Sequence, residues 1–399
     1  MNQGRLFLAS CMSLATCGVL FGIRSSCVEE LVTHFGSDHK VVGEVLGMGF
    51  FGMGVVILIA SPLCDFLGMR RLMSLAFVMH IVGILGFLFA PGAATDKDLS
   101  WAKYAMFCVG LAHGLVEGVI NPLIATIYHE NKTGKLNILH AWWPGGIVIG
   151  GLLSFALAKM GVSWQIQWCL GLIPAAFYGF AILGAEFPKT ERVASGVTAG
   201  SMLAASLNPL FLLLVATMAV TGATELGTGQ WLDSVIKNTA GFSGILLLVY
   251  GSILMFAMRF FAGPIAHKLS PIGLLTLSAA TASIGLYMLS ITTSAALGFA
   301  AATVFYAGVC YFWPTMLAVV SERFPKTGAL GMGLMGASGI NGSAYFIGWM
   351  GGVYEKEGAT NAFRSATFLP LGALAVFVAL WLYFRATGGY HAKKIDAAH

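Results

Sequence analysis

Apolar stretches of about 20 residues, the length that crosses a bilayer as a helix, alternate along this chain with short polar segments. The pattern predicts twelve membrane spans in two sets of six. The first set is expected near residues 6–28, 41–64, 72–92, 101–128, 137–159 and 165–185. The second is expected near residues 207–231, 241–262, 272–291, 295–320, 329–353 and 363–385.

A polar linker at residues 186–206 separates the two sets. We therefore expect an N-terminal six-helix bundle at 1–185 and a C-terminal bundle with a short tail at 207–399. The composition agrees, because 57% of the residues are apolar and only 10% are charged, whereas soluble domains carry about 25% charged residues. The predicted fold class is an all-α membrane protein made of two pseudo-symmetric bundles.

The distribution of Lys and Arg predicts the orientation. With the N-terminus inside, the inner polar segments carry about twice as many of these residues as the outer ones, and Arg259 is counted among the inner charges. Both termini are therefore expected on the cytoplasmic side of a plasma (inner) membrane. The net charge of +5 forms no contiguous basic patch, so the expected surrounding is the lipid bilayer and no nucleic-acid partner is predicted.

The seven cysteines are scattered through apolar stretches without a CxxC or other metal-ligand spacing. Small buried side chains explain them, so we predict no metal site. No nucleotide-binding loop is present, which argues against ATP as the energy source. We likewise find no HxxxH pattern or paired acids on one helix, so we predict neither a cofactor nor an enzyme.

A polar stripe lies in the fourth predicted span. His113, Glu117 and Asn121 follow at intervals of four residues and so share one helix face. A carboxyl group inside a span is costly and usually faces a cavity or a partner. Since apolar surroundings disfavour its charged form, Glu117 is the first candidate for proton coupling; the alternative is a fixed ion pair with Arg24. Asn121 could bind solute hydroxyls or satisfy backbone carbonyls freed by Pro122. His113 is a candidate solute contact; the alternative is a polar side chain satisfied within the protein.

The next span opens with His140, Trp142 and Trp143. Tryptophans at a membrane boundary are commonly interfacial anchors. Aromatic rings also stack against the apolar faces of sugars, and the indole N–H is a good donor. His140 and Trp143 are therefore candidate solute-binding residues beside the polar stripe.

Span 7 carries a second polar face, formed by Thr221, Glu225 and Thr228. Glu225 is the acid within the spans of the second half, which makes it a candidate for solute binding and proton coupling; the alternative is a helix-packing hydrogen bond. Gln230 follows toward the outside and Asn341 lies between glycines of span 11. Both are candidate solute contacts; the alternative for Asn341 is a position that permits close helix contact.

Arg24 lies roughly 27 Å along span 1 from its start. In an upright helix this is near the outer surface, where the side chain would extend toward water. The alternative is a solute-binding arginine for an anionic sugar acid.

The two halves repeat a set of landmarks in the same order. They are Pro62, Asp65 and Gly68 against Pro264, His267 and Ser270, and Pro122, Glu130 and Lys132 against Pro314, Glu322 and Lys326. Transporters built from such repeats bind their solute near the midplane, between halves that rock.

The layout resembles the major facilitator superfamily across nearly the whole chain. The segment from Asp65 through Gly68 to Arg70 and Arg71 is similar to the signature of that superfamily between spans 2 and 3, and these residues would form a conformational latch. Glu117 with Asn121, and the segment from Lys135 to Gly146, resemble the fucose/proton symporter-like branch, which carries hexoses. Proton-coupled members of that branch also use an acid in span 1, where this chain has Arg24.

These features predict a monomeric secondary active transporter that takes up a small polar solute, most simply a monosaccharide, by proton-coupled alternating access. Sodium is the weaker alternative as coupling ion, because a glutamate with amide and carbonyl oxygens could also hold a hard cation. The same features are also compatible with a carrier of anionic sugar acids and with an exporter of amphipathic compounds or lipids.

Overall fold

The computed structural model describes residues 1–37, 39–92 and 94–395, apart from three side chains at 39, 40 and 245. Across these ranges the regular structure is helical, which confirms the predicted all-α class. Within the described residues, ten helices are long and apolar enough to cross a membrane, and Leu246–Arg259 with Ala262–Leu269, bent by 63°, forms an eleventh candidate. The eleventh predicted span, 329–353, corresponds to the glycine-rich helix Gly328–Glu357, whose 30 residues are long enough to cross.

The helices are labelled in chain order. In the N-terminal part they are α1 Gln3–Ser26, α2 Val28–Phe35, α3 His39–Leu67, α4 Met69–Leu88, α5 Ser100–Ile127, α6 Lys132–Lys159, α7 Trp164–Cys169, α8 Leu172–Ile182, α9 Glu191–Ala194 and α10 Ala199–Ser206. In the C-terminal part they are α11 Pro209–Gly222, α12 Thr228–Ala240, α13 Ile245–Arg259, α14 Ala262–Leu269, α15 Pro271–Ser290, α16 Ala295–Val309, α17 Phe312–Arg323, α18 Gly328–Glu357, α19 Ala359–Ala366 and α20 Phe368–Ala386.

The helices pack into two compact units. Unit 1 contains residues 1–127 and 142–194, and unit 2 contains residues 128–141 and 195–399. Helix α6 therefore contributes its first residues to unit 2 and the remainder to unit 1. Many large apolar side chains are exposed on the helix surfaces, such as Phe51, Phe155 and Phe180, as lipid-facing side chains are.

Helix α5 is the central helix of unit 1, because it packs against α3, α4 and α1. Its residues are apolar around nearly the whole circumference, and most are buried. Glycines bring the neighbouring backbones close together: a Cβ atom at Gly146 of α6 would lie 2.6 Å from the carbonyl oxygen of Ala15 in α1. Close glycine contacts of this kind are typical of helices that pack in lipid.

In unit 2, the span that carries Glu225 is interrupted by one π-helical turn. Ala223–Gly227 joins α11 to α12 in this form, with hydrogen bonds one residue longer than in an α-helix. The turn packs against α18, where Gly222 and Gly339 allow a close backbone approach. The π turn places Glu225 at the point where the helical register changes.

The residues from 128 to 141 are held within unit 2 by hydrogen bonds. Lys132 Nζ donates to the Ser321 carbonyl at 3.1 Å, and Asn137 Nδ2 donates to Thr315 Oγ1, also at 3.1 Å. These contacts attach the first turns of α6 to α17.

The C-terminal tail is fixed to the end of α17 at Glu322. The Tyr390 hydroxyl donates to Glu322 Oε2 at 2.7 Å, and the Lys393 backbone N–H donates to the Glu322 carbonyl at 2.7 Å. Thr133 Oγ1 donates to the other carboxylate oxygen at 2.9 Å. One carboxylate therefore ties three segments of unit 2 together.

Candidate functional site

Glu117 and Asn121 form a hydrogen-bonded pair inside unit 1. They are 6% and 4% exposed in the middle of α5. Asn121 Nδ2 donates to Glu117 Oε2 and to the Glu117 carbonyl, both at 2.8 Å. Pro122 has no N–H for the Gly118 carbonyl, and Cys64 Sγ approaches that oxygen at 3.4 Å. Asn121 is thus engaged with the carboxyl group rather than with the carbonyl that the proline leaves open.

His113 lies two turns before Asn121 and is also buried. Its ring is 5.3 Å from that of His80 and 6.4 Å from that of Trp143, measured between centroids. Its Nε2 atom is buried without a hydrogen-bond partner in the described part of the chain. The predicted stripe is therefore buried along its length in unit 1.

The Arg24 side chain is enclosed by aromatic rings in unit 1. Its guanidinium carbon lies 4.4 Å from the centroid of Phe21 and 4.6 Å from that of Phe50, which are cation–π distances. Nη1 donates to the Leu46 carbonyl at 3.3 Å. Trp143, which is half-buried, packs against Phe21 at 5.8 Å. Arg24 is 9% exposed, so it does not extend into water.

Unit 2 contains a buried ion pair between Glu225 and Arg259. Arg259 Nη2 donates to Glu225 Oε1 at 2.9 Å, and the side chains of Arg259 and Glu225 are 2% and 9% exposed. Arg259 also donates through Nε to the Cys310 carbonyl at 2.7 Å and through Nη1 to the His140 carbonyl at 2.6 Å. Glu225 Oε2 is buried without a hydrogen-bond partner among the residues the structure describes.

Arg259 is the site residue that sequence reasoning missed. The sequence counts it among the charges of the inner polar segments, and the structure buries its side chain beside Glu225. A positive charge at the end of an apolar stretch is also what the positive-inside distribution of Lys and Arg predicts, so it does not by itself indicate a buried ion pair. An acid within a span does, however, predict a basic partner.

The remaining predicted solute contacts are distributed over both units. The His140 side chain is buried in unit 2, whereas Trp143 belongs to unit 1. Gln230 and Asn341 are exposed. The hydroxyls of the predicted span 7 face turn back to their own helix, because Thr221 donates to the Met218 carbonyl and Thr228 to that of Thr224.

Asp65 is paired, but with a residue outside the predicted latch. Its carboxylate accepts from Arg192 Nε at 2.7 Å and from the Thr190 hydroxyl, and the side chain is fully buried. Arg70 and Arg71 are exposed. Gly68 has a φ of +84° and begins α4, a conformation that favours glycine.

Comparisons with known proteins extend over most of the chain. The family model described as Major Facilitator Superfamily matches residues 6–353. The chain is similar to Protein TsgA homolog of Buchnera aphidicola subsp. Schizaphis graminum (strain Sg), with 20% identity over 265 residues. The match covers 65% of this chain and 66% of that protein.

Solved structures of two transporters illustrate the shared fold. The crystal structure of the transporter FucP in the outward conformation superposes with a TM-score of 0.76 at 15% identity, covering 94% of this chain and 98% of FucP. Another structure of that protein names it the E. coli fucose:proton symporter. The proton:xylose symporter XylE, bound to 6-bromo-6-deoxy-D-glucose, has a TM-score of 0.80 at 14% identity, covering 99% of this chain and 98% of XylE.

Proposed function

Because the chain belongs to the major facilitator superfamily and is a multi-pass membrane transporter, we propose that it takes up a small polar solute, a monosaccharide, together with protons. The proposed mechanism is alternating access across the plasma membrane. The distribution of Lys and Arg supports a cytoplasmic position for both termini. Glu117 gains a proton from the outside, and releases it after the solute site opens inward.

The buried Glu117–Asn121 pair carries this proposal. A carboxyl group buried within a span is costly when charged. Here the Asn121 amide donates one hydrogen to the carboxylate and the other to the backbone carbonyl of the same glutamate. An amide is neutral and is held by the backbone bond, so it stays in place whether the carboxyl group is ionised or protonated. This arrangement supports Glu117 as a carboxyl group that changes protonation without disrupting α5.

Solute recognition is supported by an aromatic surface and a buried acceptor, each within its own unit. Phe21 and Trp143 pack together while remaining half-buried, and aromatic rings bind the apolar faces of sugars. In unit 2, Glu225 Oε2 has no donor within the described residues. A buried oxygen without a donor costs about 1–3 kcal/mol, and a solute hydroxyl would satisfy it. FucP and XylE, named as sugar symporters, are compatible with this solute class.

Transport by reconstituted protein tests the proposal. Liposomes with an alkaline interior should accumulate a labelled neutral monosaccharide above the external concentration. Glu117→Gln should lose this accumulation while retaining exchange of solute across the membrane, since the amide cannot carry a proton. Glu44→Gln is the matched control, because Glu44 is exposed and makes a long surface contact of 4.0 Å with Lys103. Retained accumulation by Glu117→Gln would refute proton coupling through this residue. Accumulation driven by a sodium gradient alone would identify sodium, instead of the proton, as the coupling ion.

The buried guanidinium of Arg24 favours a second candidate solute, an anionic sugar acid. It lies in the span where the fucose-type resemblance implies an acid, and a cation suits a carboxylate ligand. Thermal stabilisation of the purified protein should be compared between neutral hexoses and hexuronates. Selective stabilisation by the acids, lost in Arg24→Gln, would assign the sugar acid; stabilisation by hexoses in both proteins would assign the neutral sugar.

A further inference from the structure

Three helices of unit 1 bring together two histidines and a cysteine that are far apart in sequence. Cys17 of α1, His80 of α4 and His113 of α5 are all buried. One ligand atom from each, the cysteine sulfur and two ring nitrogens, lies within 4.8 Å of the others. Thiolates and imidazoles are the ligands preferred by soft and borderline transition metals.

His80 is oriented by a residue behind it. Its Nδ1 atom is 2.7 Å from the Tyr178 hydroxyl, and its Nε2 atom is 3.9 Å from Cys17 Sγ. A ring nitrogen held by a hydrogen bond fixes the rotation of an imidazole and directs the other nitrogen, as outer partners of metal-binding histidines do. The Tyr178 contact therefore directs Nε2 of His80 toward the cysteine.

His113 supplies the independent observation that points to a ligand here. Its Nε2 atom is buried and has no hydrogen-bond partner in the part of the chain that is described. Such an atom carries a desolvation cost, which a coordinated ion would offset. Glu117, one turn further along α5, is engaged by Asn121 and is not one of the three clustered residues.

We propose that Cys17, His80 and His113 form a site for a soft monovalent cation, Cu(I). The cluster has three ligand residues, which suits a three-coordinate ion, whereas structural Zn²⁺ requires four ligands. One thiolate and two neutral imidazoles around Cu⁺ give a neutral site, and neutrality limits the cost of burial. With zinc-type bond lengths, a trigonal site would separate sulfur and nitrogen by about 3.8 Å, close to the 3.9 Å between Cys17 and His80.

The bound ion would hold α1, α4 and α5 together, and it would engage His113, a predicted solute contact. The proposal stands on unit 1 alone and does not depend on the identity of the solute or on proton coupling. It also differs from the sequence prediction of no metal site, which rested on spacing along single segments.

Competition with a chromogenic Cu(I) chelator, bicinchoninate, tests the site under anaerobic, reducing conditions. The purified full-length protein should remove one equivalent of Cu(I) from the chelator. In Cys17→Ser and His113→Gln the apparent affinity for Cu(I) should be at least tenfold weaker, so neither variant should remove that equivalent. Cys108→Ser is the matched control: Cys108 is a partly exposed thiol on α5 outside the cluster, and this variant should retain the equivalent.

X-ray absorption of the wild-type protein carrying one Cu(I) supplies a measurement that does not depend on any variant folding. The expected first shell has one sulfur and two nitrogens. An all-sulfur shell, equal copper uptake by Cys17→Ser, or no uptake by the wild type would overturn the proposal. Uptake of Zn²⁺ with no removal of Cu(I) from the chelator would overturn the assignment of the ion.

Discussion

Removing the Arg259 side chain should destabilise unit 2 strongly. Arg259→Met deletes the guanidinium that pairs with Glu225 at 2.9 Å and donates to two backbone carbonyls at 2.7 and 2.6 Å. The carboxyl group of Glu225 then stays buried without its cation. Breaking one side of a buried ion pair costs about 3–5 kcal/mol, so we expect a loss in the free energy of unfolding within this range.

The double variant separates the charge from the packing. Glu225→Gln with Arg259→Met removes both charges, so it should be less destabilised than Arg259→Met alone. The coupling energy of the cycle should then be about 1.5–3 kcal/mol. A neutral replacement for both partners of a buried pair is often tolerated because neither charge needs compensation.

Equilibrium unfolding in mixed dodecyl maltoside and SDS micelles, followed by tryptophan fluorescence, measures these differences; the chain has nine tryptophans. Arg364→Met is the control, because Arg364 is exposed on α19, and it should remain within about 0.5 kcal/mol of the wild type. The reasoning is refuted if Arg259→Met costs less than about 1 kcal/mol, or if the two single changes add without coupling.

Three further predictions concern other contacts. Arg192→Met should leave the buried Asp65 carboxylate without its cation, costing about 3 kcal/mol in the same unfolding assay. It should also accelerate trypsin cleavage after Lys189, the site that remains in residues 186–206 of this variant; unchanged cleavage there would contradict this. Tyr390→Phe should cost about 1 kcal/mol and release the tail to carboxypeptidase. Since burial and the neighbouring carboxylate raise the pKa of the Tyr390 phenol, the wild-type tail should stay protected below about pH 10 and be released as the pH rises further. Gly146→Ala, which would place Cβ 2.6 Å from a carbonyl oxygen, should destabilise unit 1 by about 1–3 kcal/mol, whereas Gly47→Ala, with nothing within 4 Å, should be neutral or stabilising.

The helices and the polar stripe of α5 were predictable because their signals are local. Apolar stretches long enough to cross a bilayer are read directly from the chain, and the spacing of His113, Glu117 and Asn121 follows from helix geometry. Their burial follows from the apolar residues around them, and the structure buries all three.

Partners from distant segments were not predictable. The pairs Glu225–Arg259 and Asp65–Arg192 join residues 34 and 127 positions apart. Both arginines sit where positive charge also follows from membrane topology alone, so their sequence context favoured a surface location. The approach of Cys17 to His80, 63 positions away, depends on how helices pack, which spacing within one segment cannot reveal.

The π turn at Ala223–Gly227 has a consequence for aligning this chain with its relatives. A wide turn accommodates one more residue than an α-helical turn over the same path. A relative with an uninterrupted α-helix in this span will therefore match it spatially only if a one-position gap is introduced there. Without that gap, Glu225 and the residues on one side of it are compared with neighbours of their true counterparts, and a shared acid in this span goes unnoticed.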